Sequence, residues 1–376
     1  MNGIYADHAA TTRLRETAFE AMKPYLLEQY GNPSQPYTLG QAARRGLEEA
    51  RATVAACIGA RPGEVVFTGG GTESDNWAIK GWAAAQSVPG RIAVSAVEHH
   101  AVKAPCRELA HRGWEIIPLP VTAEGRVEPE TLEKALTPDT GLVSVMTANN
   151  ELGTLQPIRE LCEATHRQGA VFHTDSVAAI GHIPVDVHAL GVDLLSASGH
   201  KFGGPKGIGF LYIREGTPLL PYLTGGGQES GRRAGTEQVA GAVGLAAALQ
   251  EACTTLEETA AHLRVLEQRV LDALTHGGAE FRLNGGTNRV PGLLSLSFRG
   301  EDGERLLHRL DLCGIWVSTG AACDSRRTRV SPVLEAIDAQ PDWATGTLRL
   351  SFGRDNTPEE ADTLARELLQ ILKEEH

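Results

Sequence analysis

Between residues 64 and 213 seven short apolar runs recur, at 64–68, 91–96, 115–120, 141–147, 170–175, 193–198 and 208–213. Helix-forming stretches fit between most of them, at 72–87, 100–112, 129–136 and 157–168. This alternation admits few folds. Strands that are apolar throughout must be covered on both faces, and helical crossovers join parallel strands. The expected core is an α/β, mostly parallel seven-stranded sheet with helices on both faces. Two further helices, 13–30 and 35–59, precede the first strand, separated by the turn-forming Gly31-Asn32-Pro33-Ser34. The last two strands are too close for a helical crossover, so that pair is expected to be antiparallel.

After Thr236 the pattern changes. Residues 236–275 are almost all helix formers and read as a long helix or a helix pair. The remainder reads as strand 293–298, helix 302–313, strand 315–319, helix 331–338, strand 347–352 and helix 358–375. That is a smaller α+β domain, with which the first dozen residues are expected to pack. The division is a large domain at 13–255 and a small one at 1–12 and 256–376.

A chain of 376 residues with 41% hydrophobic content can bury a large core and a pocket. The formal net charge of −12 argues against nucleic acid or an anionic membrane as partner. The start, MNGIYADHAATT, lacks the basic-then-apolar order of a signal peptide, and no apolar stretch is long enough for a membrane span. The six cysteines, at 57, 106, 162, 253, 313 and 323, form no metal-spaced pairs, so no metal site is expected, and they suit the reducing cytoplasm. Cys57, Cys162 and Cys253 lie on apolar helix faces and read as buried, inert thiols.

Ligands of open α/β sheets bind at the carboxyl ends of the strands, so the polar residues that end the runs carry the chemistry. After Thr68 comes Gly69-Gly70-Gly71-Thr72, a glycine turn feeding a helix start, which suits a phosphate or serves as a capped tight turn. After the second run come Glu98, His99 and His100, offering an imidazole for stacking or a plain helix cap. Asn149, Asn150 and Glu151 follow the fourth. Asp175 ends the fifth, placed either to pair with a protonated ring nitrogen or to cap a helix. Ser198, His200 and Lys201 end the sixth, in a loop with little side-chain bulk. A lysine there becomes a Schiff-base nucleophile if desolvation or a nearby cation lowers its pKa; otherwise it is a surface loop lysine. A lysine, an acid, a phosphate cup and a stacking ring together fit pyridoxal phosphate.

In the second half, Cys323 lies in Gly320-Ala321-Ala322-Cys323-Asp324-Ser325, beside arginines and on no apolar stripe, as a reactive thiolate would. Arg349 is a charge inside an alternating strand, suited to a substrate carboxylate or to solvent.

These residues resemble the cysteine desulfurases of the class V aminotransferase group, fold type I. The resemblance runs nearly end to end, through Asp7-His8-Ala9-Ala10-Thr11-Thr12, Gly31-Asn32-Pro33-Ser34, Thr72-Glu73-Ser74-Asp75-Asn76, Glu98-His99, Asn149-Asn150-Glu151 and Ser198-Gly199-His200-Lys201. It continues through Gly225-Gly226-Gly227-Gln228-Glu229, Gly235-Thr236, Gly320-Ala321-Ala322-Cys323 and Arg349-Leu350-Ser351. It implies that Lys201 carries pyridoxal 5'-phosphate and shuttles protons, that His99 stacks on the ring and moves protons, and that Asp175 pairs with the ring nitrogen. It implies that Gly71, Thr72, Ser198 and His200 hold the phosphate, with Thr236 reaching it from the partner subunit of a homodimer. Asn150, also counted with the cofactor-binding residues, and Arg349 would bind the substrate carboxylate. Cys323 would take sulfur from L-cysteine as a persulfide, leaving L-alanine. The sulfur would then pass to an acceptor protein, for iron–sulfur cluster assembly or for tRNA or cofactor thiolation.

Two departures stand out. The family usually has a glutamine three residues after the strand-end Asp, donating to the cofactor's ring hydroxyl; here Ala178 stands there. Some members also carry a longer C-terminal tail that docks the iron–sulfur scaffold. The alternatives are another class V activity, selenocysteine lyase or aminotransferase, for the latter of which Cys323 has no use, or a sulfur-relay partner with little catalysis of its own.

Overall fold

A computed structural model of the chain describes residues 3–319 and 330–374. The seven expected strands form as Val65–Thr68, Arg91–Ser95, Glu115–Leu119, Thr140–Ser144, Val171–Asp175, Leu194–Ser198 and Gly209–Ile213. They make one sheet. From edge to edge it runs Val65–Thr68, Gly209–Ile213, Leu194–Ser198, Val171–Asp175, Thr140–Ser144, Arg91–Ser95, Glu115–Leu119. Gly209–Ile213 is antiparallel to both neighbours, as the short link from Ser198 requires; the other pairings are parallel.

Alternate strand residues face opposite ways, and each set finds its own helices. Val65, Phe67, Val143, Phe172, Leu195 and Phe210 pack with helix residues such as Ala43, Val54, Leu245 and Leu249. These come from Thr38–Cys57 and Val239–Thr254. On the other face, Ile92, Val94 and Leu142 meet Ile79, Trp82, Val102 and Leu109.

The helix expected from 13 begins only at Glu16. Ahead of it the Thr12 and Arg15 N–H groups donate to the carbonyls of His200 and Gly203, at 3.0 and 2.8 Å. Tertiary bonds to the lysine loop thus override helix propensity. The apolar stretch after Thr236 is a pair, Val239–Thr254 and Leu256–His276, bent by 71°. Among the described residues no single helix is long and apolar enough to cross a membrane. The first helix of the pair is apolar because it is buried under the sheet.

The second half builds an antiparallel sheet ordered Thr347–Ser351, Leu293–Phe298, Phe281–Asn284. Its own core joins Leu296, Phe298, Leu348 and Leu350 to Leu266, Val270, Leu364 and Leu368, and includes Ala6. Strand 315–319 shortens to Ile315–Trp316, paired in parallel with Ile4–Tyr5, which ties the N-terminal residues to this half. Phe281–Asn284 escaped notice because it is a half-exposed edge of mixed polarity. Helix 331–338 forms as Pro332–Ala336, with a separate short helix Pro341–Ala344; Asp338, with φ of 54°, lies between them. One expectation about thiols is corrected. Cys253 is exposed and Cys57 half-buried, whereas Cys162 is buried. Both lie near the ends of packed helices, where the apolar stripe gives out.

Candidate active site

The carboxyl ends of the central strands open onto one cavity of about 560 Å³. Gly71, Thr72, His99, Asn150, Asp175, Ser198, His200, Lys201 and Arg349 all line it, and so does Ala178. Lys201 leaves the sheet in a single 3-10 turn, Gly199–Lys201. Its Nζ donates to the carbonyls of Ala9 and Ala10, at 2.6 and 3.1 Å. The N-terminal segment is thus part of the site. Thr11 Oγ1 lies 3.1 Å from His200 Nδ1, and Thr12 Oγ1 donates to the His200 carbonyl at 2.8 Å.

At the phosphate-like end, the helix Gly71–Ala84 begins at the cavity wall. Gly70 has φ of 141°, a backbone region that glycine alone enters readily. A Cβ on Gly71 would meet Val177 Cγ2 at 2.6 Å, so bulk is excluded where the helix start faces the cavity. The first N–H groups of a helix lack intrahelical partners and favour an anion. Burial, then the charges of Lys201 and Lys206, lower the His200 pKa to about 4, leaving a neutral imidazole.

The opposite end is acidic, and its acids are buried. Asp175, Asp75 and Glu98 are all buried and line the cavity. Asp175 Oδ1 accepts the Val177 N–H at 2.9 Å. Burial pushes its pKa up to about 6 against the pull of that bond and of Lys201. Glu98 Oε1 accepts Ser95 Oγ at 2.9 Å and Met146 N–H at 2.5 Å. Burial and then the Asp175 charge push Glu98 up to about 8. Burial, with the Asp175 charge second, raises Asp75 far above its ordinary value. Asp75 Oδ1 and Glu98 Oε2 have no hydrogen-bond partner among the described residues. His173 stands behind them, fully buried, with Nδ1 2.8 Å from Ser144 Oγ, Nε2 3.1 Å from Ser196 Oγ and 3.6 Å from Asp75 Oδ1. Burial lowers its pKa to about 3, so it brings no charge to offset the acids. Unmatched buried carboxyls are costly, and a cationic ring N–H at this end would relieve them. Helix start, glycine cradle and orphaned acids together fit pyridoxal phosphate.

His99 is the N-cap of His100–Ala110, and its Nδ1 accepts the Ala101 N–H at 3.1 Å. Burial, then Lys201 and the other nearby cations, lower its pKa to about 4. The ring is therefore neutral, with its proton on Nε2. Arg349 is buried; its Nη2 donates to Asp7 Oδ1 at 2.7 Å and its Nη1 to the Asn150 carbonyl at 3.0 Å, while Nε has no partner among the described residues. Asn149 is structural instead. Its Nδ2 donates to the Val97 carbonyl, and its Oδ1 accepts the N–H groups of Glu151 and Leu152, which turns the chain so that Asn150 faces the cavity.

The aminotransferase class V family model matches residues 4–364. A cysteine desulfurase IscS of Dictyoglomus turgidum is 46% identical over 98% of this chain and 94% of its own. Among solved structures, a NifS-like protein superposes with a TM-score of 0.93 at 36% identity, covering 99% of both chains. A structure described as SspA in complex with cysteine superposes with a TM-score of 0.82 at 32% identity, covering 94% of this chain and all of that one. The chain belongs to the cysteine desulfurase branch of the class V aminotransferases.

Of the residues singled out in this desulfurase-type sequence, Thr236 is apart from the cavity wall, on an exposed loop. Cys323 lies outside the described residues. The described chain before and after it does reach the site: Ser318 and Arg349 exchange backbone bonds at 3.1 and 2.6 Å, and Pro332 and Val333 line the cavity. Sequence reasoning named Glu98 at its strand end without giving it a role, and gave none to Asp75 or His173. The available signal for Asp75 was a carboxylate inside an apolar helix.

Proposed function

We propose that this chain is a pyridoxal-phosphate-dependent cysteine desulfurase that converts L-cysteine to L-alanine and carries the sulfur away as a persulfide on Cys323. The observation that carries the reading is the meeting, in one cavity, of Lys201, the buried acid end, the glycine-lined helix start and Arg349. The cofactor, held there, supplies an electron sink for charge at the substrate α-carbon.

The side chains divide the rest. Lys201 Nζ, held beside the Ala9 and Ala10 carbonyls, anchors the cofactor and then moves a proton to and from substrate carbon. Asp175 holds a proton on the ring nitrogen, and Asp75 and Glu98, kept neutral by burial, leave that charge balance to Asp175. His99 offers a flat neutral ring for stacking and a proton at Nε2. The backbone at Gly71 and Thr72, with Ser198 and His200, binds phosphate. Arg349 and Asn150 orient the substrate carboxylate. The Cys323 thiolate attacks the substrate sulfur; the S–S bond forms as the C–S bond breaks, and the carbon fragment takes up a proton to leave as alanine. Ser318, five residues before Cys323 in sequence, is bonded to the Arg349 backbone.

The chain divides into the two domains read from the sequence, 13–255 and 1–12 with 256–376; the separate sheet core and second core support this. The enzyme acts as a homodimer with Thr236 completing the partner's phosphate site. That residue is exposed, and its loop is anchored by the buried Arg51–Glu229 pair, at 2.7 and 2.8 Å, and by Arg233–Glu73 at 2.8 Å. Leu220, Tyr222 and Leu223 lie exposed on the same stretch. The sulfur passes to an acceptor protein, and the reaction runs in the cytoplasm, which suits the free thiols among the described cysteines.

The test is sulfide and alanine release from L-cysteine with a reductant, in the parent and in Cys323→Ala. Equal amounts of both products, lost in the variant, uphold the reading. A cofactor-loaded protein that makes no sulfide, or a variant that matches the parent, overturns it in favour of amino-group transfer or selenocysteine cleavage.

A further inference from the structure

Two thiols far from the cavity meet at the surface. The helices Thr38–Cys57 and Val239–Thr254 pack against each other. Cys57 is the last residue of one, and Cys253 the last but one of the other. Cys253 Sγ lies 4.0 Å from the Cys57 carbonyl oxygen. Cys253 is exposed and Cys57 half-buried. They share a shallow surface depression walled by Ala52, Thr53, Ala56, Gln250 and Thr254. Those side chains are uncharged and mostly small, and Cys253 is exposed beside them.

The environment treats the two sulfurs differently. The neighbouring Cys57, with the charge of Arg15, lowers the Cys253 pKa, while the neighbouring Cys253 and burial raise Cys57. An exposed, thiolate-favouring sulfur beside a resolving thiol is the arrangement of a redox-active pair.

We propose that Cys57 and Cys253 are a reversible disulfide site whose oxidants are low-molecular-weight disulfides. The Cys253 thiolate attacks one sulfur of the small disulfide and forms a mixed disulfide, releasing the first small thiolate. Cys57 then loses its proton and attacks the Cys253 sulfur. The protein disulfide forms as the mixed one breaks, and the second small thiol leaves. Two electrons pass from the protein pair to the small disulfide, which departs as two thiols. The bond joins residues 196 apart in sequence and ties together two helices that cover one face of the sheet. A closure of that length restricts the unfolded chain and raises the unfolding temperature.

The test uses the cofactor-loaded full chain in glutathione buffers of graded ratio, then alkylation and mass spectrometry of unreduced peptides. Expected is a Cys57–Cys253 peptide pair, about tenfold or more enriched in the oxidised buffer, removed by dithiothreitol and accompanied by a higher Tm. Cys57→Ser should leave Cys253 carrying one glutathione and no cross-link. Cys253→Ser, an exposed and mild change, should show neither, with parental sulfide production. The proposal is overturned if the parent accumulates glutathione on Cys253 without the cross-link. It is equally overturned if both thiols stay alkylatable in the most oxidising buffer.

Discussion

Glu98→Gln isolates the charge state of one buried acid. Glu98 is 3% exposed, accepts Ser95 and Met146 on Oε1 and has no partner on Oε2 among the described residues. Burial and the Asp175 charge raise its pKa from the usual 4.5 to about 8. Between those values the unfolded chain ionises at this position while the folded chain keeps its proton, so the folded state binds more protons and stability falls as pH rises. At ~1.4 kcal/mol per pH unit the loss has a ceiling of roughly 5 kcal/mol, complete above the folded value. Gln keeps an oxygen for Ser95 and Met146 and does not titrate. At pH 4.5 parent and variant should agree within about 1 kcal/mol. By pH 8.5 the variant should be the more stable by a few kcal/mol in the cofactor-free protein, and by less in the loaded one, where a cation beside Asp175 favours the ionised acid. Urea midpoints and slopes followed by tryptophan fluorescence at pH 5, 6, 7 and 8.5 measure this. A parent–variant difference that stays constant over that range would refute a neutral Glu98.

Gly71→Ala puts a Cβ 2.6 Å from Val177 Cγ2; it should cost about 1–3 kcal/mol of stability and weaken cofactor binding tenfold or more, read by titrating apoprotein with pyridoxal phosphate. Arg349→Lys keeps the charge but loses the fork held by Asp7 and Asn150; kcat/KM for L-cysteine should fall about ten- to a hundredfold, mostly through KM. Ala178→Gln places an amide donor in the cavity wall; the pH midpoint of the bound cofactor's visible absorbance should move by more than ~0.5 unit, and an unmoved midpoint means the amide does not reach the ring hydroxyl.

The parts of the fold legible in the sequence were those where one physical signal acted alone. The seven sheet strands are apolar on both faces because both are covered, so their runs stand out against the helices between them. Phe281–Asn284 did not stand out, because an edge strand half in water has no such run. Candidate site residues at strand ends were legible by the same token: Asp175 closes an apolar run, and His99 and Lys201 stand within three residues of the end of one. Asp75 and His173 were not, since each lies within a buried element and its role depends on three-dimensional neighbours, Asp175 for one and Ser144 and Ser196 for the other. Cys253 was misread because helical periodicity reports a face, and a face says nothing about where the covering layer ends.

The placement of Arg349 bears on how sulfur leaves the site. Its side chain is fixed from two sides, by Asp7 of the N-terminal segment and by the Asn150 carbonyl of the sheet half. Its backbone meanwhile exchanges bonds with Ser318, at the root of the segment that carries Cys323. The group proposed to grip the substrate carboxylate and the chain proposed to deliver the nucleophile therefore share one anchor. A substrate carboxylate that reorients the Arg349 guanidinium acts on a residue already bonded to the root of that segment. A substitution that loosens the Ser318–Arg349 pairing, such as Ser318→Pro, removes the Ser318 N–H donor. It should slow persulfide formation on Cys323 more than it weakens cysteine binding, measured as single-turnover sulfur transfer against the spectral binding titration. Equal losses in both would mean that the shared anchor carries stability alone.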